Sequence, residues 1–328
     1  MPVRIKLLLG LSALLFLALP PLTDILGNPF WLDLARRIVI YAIAAVSLDL
    51  ILGYGGLVSF GHAAFFGLGG YAVGILAHHA SERTGLFFIE GAWTGSAALL
   101  VQLPVAVLVA GLFALVIGAL SLRTSGIYFI MITLAFAQML YFFFTSLTPY
   151  GGEDGLNIWE RSSLPGLDLY DDWTFYYLCL GLLFGQLIVF RRLTDSRFGR
   201  VLRAIKRNEA RVRALGIPTN RYKLAAFVIA GAGAGLAGAL IANHTEFIGP
   251  GLMHWTRSGE IMIMVILGGM GTLFGPVLGA AALLILEDAL ASWTEHWMIF
   301  LGPILLGVVL FARAGLWGLL AGKEGRDG

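Results

Sequence analysis

Long apolar runs separated by short polar segments extend along the chain from Leu7 to Leu320. A bilayer core about 30 Å thick requires roughly 20 mainly apolar residues per helix. Runs near this length lie at 7–26, 35–52, 57–79, 95–120, 126–147, 173–190, 224–243, 259–274, 276–291 and 297–312. The pattern predicts an all-α integral membrane protein of about ten transmembrane helices, with residues 1–328 forming a single transmembrane domain.

Glycine interrupts two of these regions. Residues 53–74 contain eight glycines, and residues 268–279 contain five around Pro276. One interpretation is a broken or re-entrant helix, which persists at membrane depth only where its backbone is buried in protein or lines a wet cavity. The other is a small-residue surface that lets helices pack closely. Both interpretations stay open on sequence alone, as does an inverted repeat relating the two segments.

Composition agrees with a membrane protein and excludes several other classes. Of the residues, 58% are hydrophobic and 13% are charged, which a water-soluble fold of this length does not accommodate. Cys179 is the only cysteine, which excludes an intrachain disulfide and a multi-thiolate metal site. The histidines show no metal-ligand motif with a nearby acid, so neither a metal site nor an intramembrane enzyme is expected. Pro20 and Pro21 follow the first apolar run in place of a cleavage site, which predicts a retained first helix.

The two longest polar segments have opposite charge. Residues 191–223 contain eleven basic residues but only Asp195 and Glu209 as acids, whereas residues 148–172 contain six acids and Arg161 as the single base. Basic loops stay on the cytoplasmic side of a membrane. Residues 191–223 are therefore predicted to form a cytoplasmic loop and residues 148–172 an external loop.

One pair of charges does not fit this topology. Ten spans place both termini in the cytoplasm, in agreement with the basic residues near each end. Arg36 and Arg37 then fall on the outside, where basic residues are unfavoured. The sequence alone offers no reason for their position.

The cytoplasmic loop has a helical pattern of its own. Five apolar or small polar residues recur at spacings of four, three, four and three, and this spacing places them on one narrow face of a helix. They are Val201, Ile205, Asn208, Val212 and Leu215. Asp195 or Ser196 can cap the start, and Gly216 before Pro218 ends the helix. The pattern predicts one short amphipathic helix parallel to the membrane, serving either to hold lipid headgroups or to dock a cytoplasmic partner.

The energy source is predicted to lie outside the chain. Ion-coupled carriers need ionisable groups or cation ligands at mid-membrane, and few are present. The chain also lacks the Gly-x-x-x-x-Gly-Lys-Ser/Thr loop that binds ATP phosphates. No cofactor is expected on this chain, and a separate ATPase that uses ATP is implied. The alternative is a secondary carrier or channel that functions alone.

Several polar residues are candidates for the transport pathway. Ser59 and His62 are the most polar side chains of the first glycine-rich region, and Tyr128 and Thr133 lie on another span. Polar groups in a membrane usually face the protein interior or a cavity. A structural role for His62, bonded to a neighbouring backbone carbonyl, is the alternative. Asp49 is the only acid deep in an early span, or else lies near the membrane surface.

Two further groups of charges sit at predicted span ends. Arg257 and Glu260 form one of them, and Glu287 and Asp288 form the other. Both are interpreted as interfacial, because charged side chains near a helix end reach water at low cost.

Six motifs together resemble branched-chain amino-acid ABC transporter permeases of the LivM type. They occur in the family's order across about residues 40–290. They are 53–67, 126–134, 151–156, 208–217, 222–227 and 268–276. Leu57 departs from the pattern, since relatives usually carry a polar residue there.

The resemblance implies roles for two of these motifs. The cytoplasmic loop would sit in a cleft of the ATPase and transmit its closure to the spans. Its coupling residues would be Asn208, Glu209, Ala210, Arg213, Leu215 and Gly216. The external loop would meet a periplasmic substrate-binding protein at Gly151, Gly152, Asp154 and Gly155. Replacing Glu209 with arginine is expected to abolish ATPase association while leaving membrane insertion intact.

The resemblance also implies an assembly and a location. A homologous permease subunit would complete a heterodimer with this chain, and two cytoplasmic ATPase subunits would drive it. Nucleic acid is not an expected partner. The expected location is the bacterial inner membrane, and the substrate a branched-chain or other hydrophobic amino acid. A permease for urea or short amides is the alternative.

Overall fold

The computed structural model describes residues 14–23, 27–86, 89, 93–294, 296, 299–303, 306–307 and 315–321. These residues are mostly helical. In chain order the helices are α1 (Leu14–Thr23), α2 (Phe30–Asp49), α3 (His62–Glu82), α4 (Leu99–Ser121), α5 (Ile127–Thr145), α6 (Asp172–Asp195), α7 (Arg197–Arg207), α8 (Glu209–Ala214), α9 (Thr219–Thr245), α10 (Trp255–Gly268), α11 (Gly275–Ala291) and a short helix at Gly315–Ala321. A π-helical turn, Leu50–Tyr54, continues α2.

Six of the described helices are long and apolar enough to cross a membrane. They are α2 with its π turn, α3, α4, α5, α6 and α9. Helices α10 and α11 have 14 and 17 residues, which is short for a full crossing. The first predicted span is described only in part, as α1, and most of the last one, 297–312, lies outside the described residues. The membrane-spanning class is confirmed, whereas ten spans stay a prediction.

Helix α2 lies at the centre of the bundle. Every residue from Ile38 to Gly55 is buried, as expected for a helix that is apolar on all sides. Helices α3 and α9 pack closely because small residues face each other: a Cβ on Gly69 would overlap the backbone of Gly235, and one on Gly238 would overlap the carbonyl of Phe66. For these glycines the close-packing interpretation is correct.

The two polar segments of opposite charge lie at opposite ends of α6. The acidic segment precedes Asp172 and the basic one follows Asp195, and 24 helical residues separate their attachment points by roughly 36 Å. A two-stranded antiparallel sheet ties the acidic segment to the chain after α9. It pairs β1 (Leu156–Asn157) with β2 (Phe247–Ile248).

The position of Arg36 is explained by its partners at the acidic end. Its side chain is buried within α2, where Nη1 donates to Asp172 Oδ1 at 2.5 Å and Nη2 to Asp33 Oδ1 at 3.3 Å. Arg37 lies 3.7 Å from Asp288. Both arginines are therefore compensated by carboxylates, which removes the conflict with the predicted topology.

Candidate functional site

The first glycine-rich region contains a helix break. Regular structure stops after Tyr54 and resumes at His62. Gly56 has φ +68° and lies against the Lys206 side chain, so a residue with a Cβ would be both strained and crowded there. The broken-helix interpretation is correct for residues 55–61, while the glycines further along α3 serve close packing.

Buried hydroxyl groups hold this break. Ser258 Oγ donates to the Phe60 carbonyl at 2.7 Å and accepts from Ala63 N at 2.9 Å. Thr133 Oγ1 accepts from Phe60 N at 3.3 Å, and Ser59 Oγ accepts from Gly61 N at 3.2 Å. These contacts satisfy backbone groups that the break would otherwise leave unpaired in the membrane.

The four predicted pathway residues do not form one cluster. Ser59, His62 and Thr133 are fully buried around the break, and His62 Nε2 lies 3.0 Å from Ser47 Oγ. Tyr128 instead projects from α5 with 68% of its surface exposed. The pathway role of these residues stays a prediction, and for the buried three the observed contacts are structural.

The second glycine-rich region breaks the chain between α10 and α11, and it packs against the end of α2 and the π turn that precedes the first break. Asp49 Oδ1 accepts a hydrogen bond from Gly271 N at 2.8 Å. A Cβ on Gly53 would overlap both that carboxylate and the Gly271 backbone. Lys206 Nζ donates to the Gly53 carbonyl at 2.5 Å. We call these four residues the glycine junction: Asp49, Gly53, Lys206 and Gly271. The junction connects the second break and the turn before the first break to the basic segment.

The basic segment contains two helices where the sequence predicted one. Asn208 has extended backbone (φ −161°), and its Oδ1 accepts from Arg211 N at 2.9 Å, which caps α8 and ends α7. Gly216, at φ +81°, ends α8 as expected. The predicted single face is therefore divided: Ile205 and Val212 are buried, whereas Leu215 is 73% exposed. Residues 197–216 are called the basic arm below.

Glu209 anchors the basic arm to α9 of the same chain. Its carboxylate accepts from Lys223 Nζ at 2.5 Å, Arg213 Nη2 at 2.9 Å and Thr219 Oγ1 at 3.1 Å. Burial alone would raise the pKa of Glu209, but Lys223, Thr219 and Arg213 outweigh it and hold the pKa below its ordinary value. The coupling role of Glu209 stays a prediction, and the contacts observed for its carboxylate are with its own chain. The other five predicted coupling residues are exposed: Asn208, Ala210, Arg213, Leu215 and Gly216.

Replacing Glu209 with glutamine is expected to loosen the arm at neutral pH. A carboxylate with a lowered pKa stabilises the fold above its ordinary titration range, and that contribution disappears as the pH falls through the folded-state pKa. The variant should therefore show faster hydrogen exchange over residues 209–224 at pH 7, and less acid-dependent change than the wild type. Glu160→Gln, an exposed acid at the opposite end, is the control. Equal exchange in Glu209→Gln and wild type would contradict the anchoring role.

A cavity of about 500 Å³ separates the first break from the basic arm. Its walls are residues 55–58, the α4–α5 turn at 124–126, the start of α5, residues 205–209 and Lys223. Any displacement of the arm toward the bundle would change the volume of this cavity.

The predicted external motif forms a tight turn at the acidic end. Gly151, Gly152 and Gly155 all have positive φ, between +54° and +87°, which explains their residue type. A Cβ on Gly155 would lie 2.6 Å from the Ile248 carbonyl, so β2 packs directly on the turn. Asp154 is exposed, and its N–H donates to the Gly151 carbonyl at 3.0 Å.

Comparison with known proteins agrees with this geometry. Residues 30–309 match the family described as the permease component of a branched-chain amino acid transport system. The chain belongs to this family. The permease is thus a multi-pass membrane subunit of an ATP-driven importer and not an enzyme, and the resemblance found in the sequence motifs is confirmed.

The LivM relatives align with most of the permease. It is 29% identical over 308 residues to the high-affinity branched-chain amino acid transport system permease protein LivM of Escherichia coli K12, covering 87% of this chain and 69% of that one. It is 28% identical over 298 residues to the probable LivM of Methanocaldococcus jannaschii, with 83% and 86% covered. The autoinducer 2 import system permease LsrC of an Enterobacter species is 34% identical over 141 residues, with 40% and 41% covered. No solved structure matches the permease.

For three residues of the site, the sequence did not predict the contacts that the structure shows. Asp49 was noted only as a deep acid, Lys206 was one base among eleven, and Ser258 gave no signal. The charge of Asp49 within an apolar span, which is costly without a partner, was the clue that could have indicated a buried contact.

Proposed function

We propose that this permease imports branched-chain amino acids. The observation that supports this most directly is the family match over residues 30–309, together with LivM relatives that align over more than four fifths of the chain. The proposed location is the bacterial inner membrane. A homologous permease subunit, two cytoplasmic ATPase subunits and a periplasmic substrate-binding protein complete the proposed importer.

In this proposal the chain crosses the membrane ten times. The broken pair α10 and α11, and the predicted spans 7–26 and 297–312, are added to the six long helices. The inverted repeat is retained as part of the proposal.

The proposed coupling route starts at the exposed side of the basic arm. When ATP brings the ATPase subunits together, force on α8 reaches α7, since both helices belong to one short arm. Lys206 in α7 then moves the Gly53 carbonyl, to which it is bonded at 2.5 Å, and Asp49 passes the displacement to Gly271. The two breaks are flexible points of the pathway, because neither is held by regular helical hydrogen bonds.

The docking surface is tested by Leu215→Asp. Leu215 is 73% exposed, so the variant should fold normally, but a charged group in an apolar contact should weaken ATPase association at least tenfold. The measurement is the affinity of the purified ATPase for the reconstituted permease. Trp159→Asp, an equally exposed apolar residue at the acidic end (78%), is the control and should bind normally. Unchanged ATPase affinity in Leu215→Asp would contradict docking on this face.

The function as a whole is tested by purifying the permease from its native membrane and identifying what accompanies it. Recovery of an ATPase and a second permease, followed by ATP-dependent uptake of leucine, isoleucine or valine by the reconstituted complex, is the expected result. A chain that purifies alone and still transports would overturn the proposal in favour of a secondary carrier. Uptake of urea or short amides in place of amino acids would overturn the substrate assignment.

A further inference from the structure

One ion pair of the permease is partly exposed although it belongs to a helix packed inside the bundle. Arg257 Nη1 lies 2.7 Å from Glu260 Oε2 on α10, and the two side chains are 40% and 41% exposed. Neither residue takes part in the glycine junction or in the basic arm.

The contacts of α10 show the depth of this pair. Ser258, between the two charged residues, bonds to Phe60 and Ala63 at the start of α3. Arg257 and Glu260 are also close enough to interact electrostatically with Tyr41, which lies at the middle of the Phe30–Tyr54 span. The pair is therefore level with the middle of this span, deeper than the interfacial position expected from the sequence.

A pair of charges at this depth does not face lipid tails. Ionisable groups within a membrane face the protein interior or a water-filled space, because hydrocarbon cannot solvate them. The exposed face of α10 therefore belongs to a wet pathway. Further charges extend from it toward the acidic end: Glu287 interacts with Arg257, and Arg37 pairs with Asp288.

From this arrangement we propose that Arg257 and Glu260 are a transient binding site for the zwitterionic head of the transported amino acid. This inference rests on the proposed function. The guanidinium matches the carboxylate of the substrate and the carboxylate of Glu260 matches its ammonium group. In the absence of substrate the two side chains neutralise each other, which lowers the cost of holding them in the membrane.

The surroundings leave room for such a ligand. A Cβ built on Gly259 would meet no atom within 4 Å, so the surface of α10 next to Glu260 is open to a bound molecule. The pair thus recognises the part that all amino acids share.

The wet character of this face is tested by cysteine labelling. The only native cysteine, Cys179, is fully buried and is replaced by serine. Gly259→Cys is then compared with Gly185→Cys, since a Cβ meets no atom within 4 Å at either position. Gly185 is exposed on the face of α6 that carries the apolar residues Leu182, Ile188 and Val189. In the reconstituted complex, a charged thiosulfonate reagent is expected to label Gly259→Cys at least tenfold faster. Equal rates would overturn the proposal.

Binding itself is tested by Arg257→Gln and Glu260→Gln in the complete importer. Each variant should assemble with the ATPase and lower leucine uptake at least tenfold, and leucine delivered by the binding protein should slow labelling of Gly259→Cys. Glu82→Gln, an acid at the outer end of α3 that is paired within its own helix, is the control and should transport normally. Uptake that is unchanged in both charge variants would overturn the site. Failure of the wild-type importer to take up any amino acid would instead overturn the proposed function.

Discussion

Gly53→Ala is expected to prevent correct assembly of the helix bundle. A Cβ at this position would overlap the Asp49 carboxylate and the backbone of Gly271, and backbone atoms cannot move aside as a flexible side chain can. Overpacking a close-packed interior costs about 1–3 kcal/mol and occasionally more, and we expect a cost at the upper end of this range. The measurement is the yield of monodisperse permease in detergent, together with its thermal unfolding temperature.

Gly111→Ala is the matched control for this prediction. Gly111 is also a buried glycine in a membrane-spanning helix, but its Cβ would lie 3.6 Å from Ala232, at ordinary contact distance. This variant should fold as well as the wild type or slightly better, since alanine favours helix more than glycine does. Equal yield and unfolding temperature in the Gly53 and Gly111 variants would show that the junction is not tightly packed.

Lys206→Met is expected to separate ATP hydrolysis from transport. The substitution keeps most of the apolar stem but removes the ammonium group that bonds to the Gly53 carbonyl. Hydrogen bonds to charged groups contribute about 1.5–3 kcal/mol, and a loss of this size changes an equilibrium at least tenfold. Uptake by the reconstituted importer should fall by tenfold or more, while ATPase binding and ATP hydrolysis persist.

Arg200→Met is the control for the loss of a positive charge from the same helix. Arg200 is exposed and lies outside the glycine junction, so its replacement should leave uptake unchanged. Full transport activity in Lys206→Met would show that force from the ATPase reaches the spans by another route. Loss of ATPase binding in this variant alone would assign Lys206 to docking and contradict its place in transmission.

The features that were predictable from the sequence are local ones. The apolar runs predict the ends of the six long helices to within about five residues. Crossing a bilayer imposes a length and a composition on each segment, and both can be read from the sequence. The charge difference between residues 148–172 and 191–223 predicts opposite sides of the membrane, and the two segments lie at opposite ends of α6; the sides themselves stay a prediction. The tight turn at Gly151 to Gly155 and the end of α8 at Gly216 were also predictable, since positive φ selects glycine.

The contacts that define the site were decided by the tertiary structure. Asp49 and Gly271 are 222 residues apart, and Lys206 and Gly53 are 153 apart, so no local pattern relates them. Glu209 lies on the expected segment, but the contact of its carboxylate is with Lys223 in the next helix, α9. By itself the sequence determined which long apolar segments can cross the membrane and which glycine-rich segments could interrupt a helix, because these depend on composition and backbone conformation. Only the packed structure decided which break meets which charge, because an unpaired charge or backbone group is too costly in the membrane and each finds its partner across the bundle.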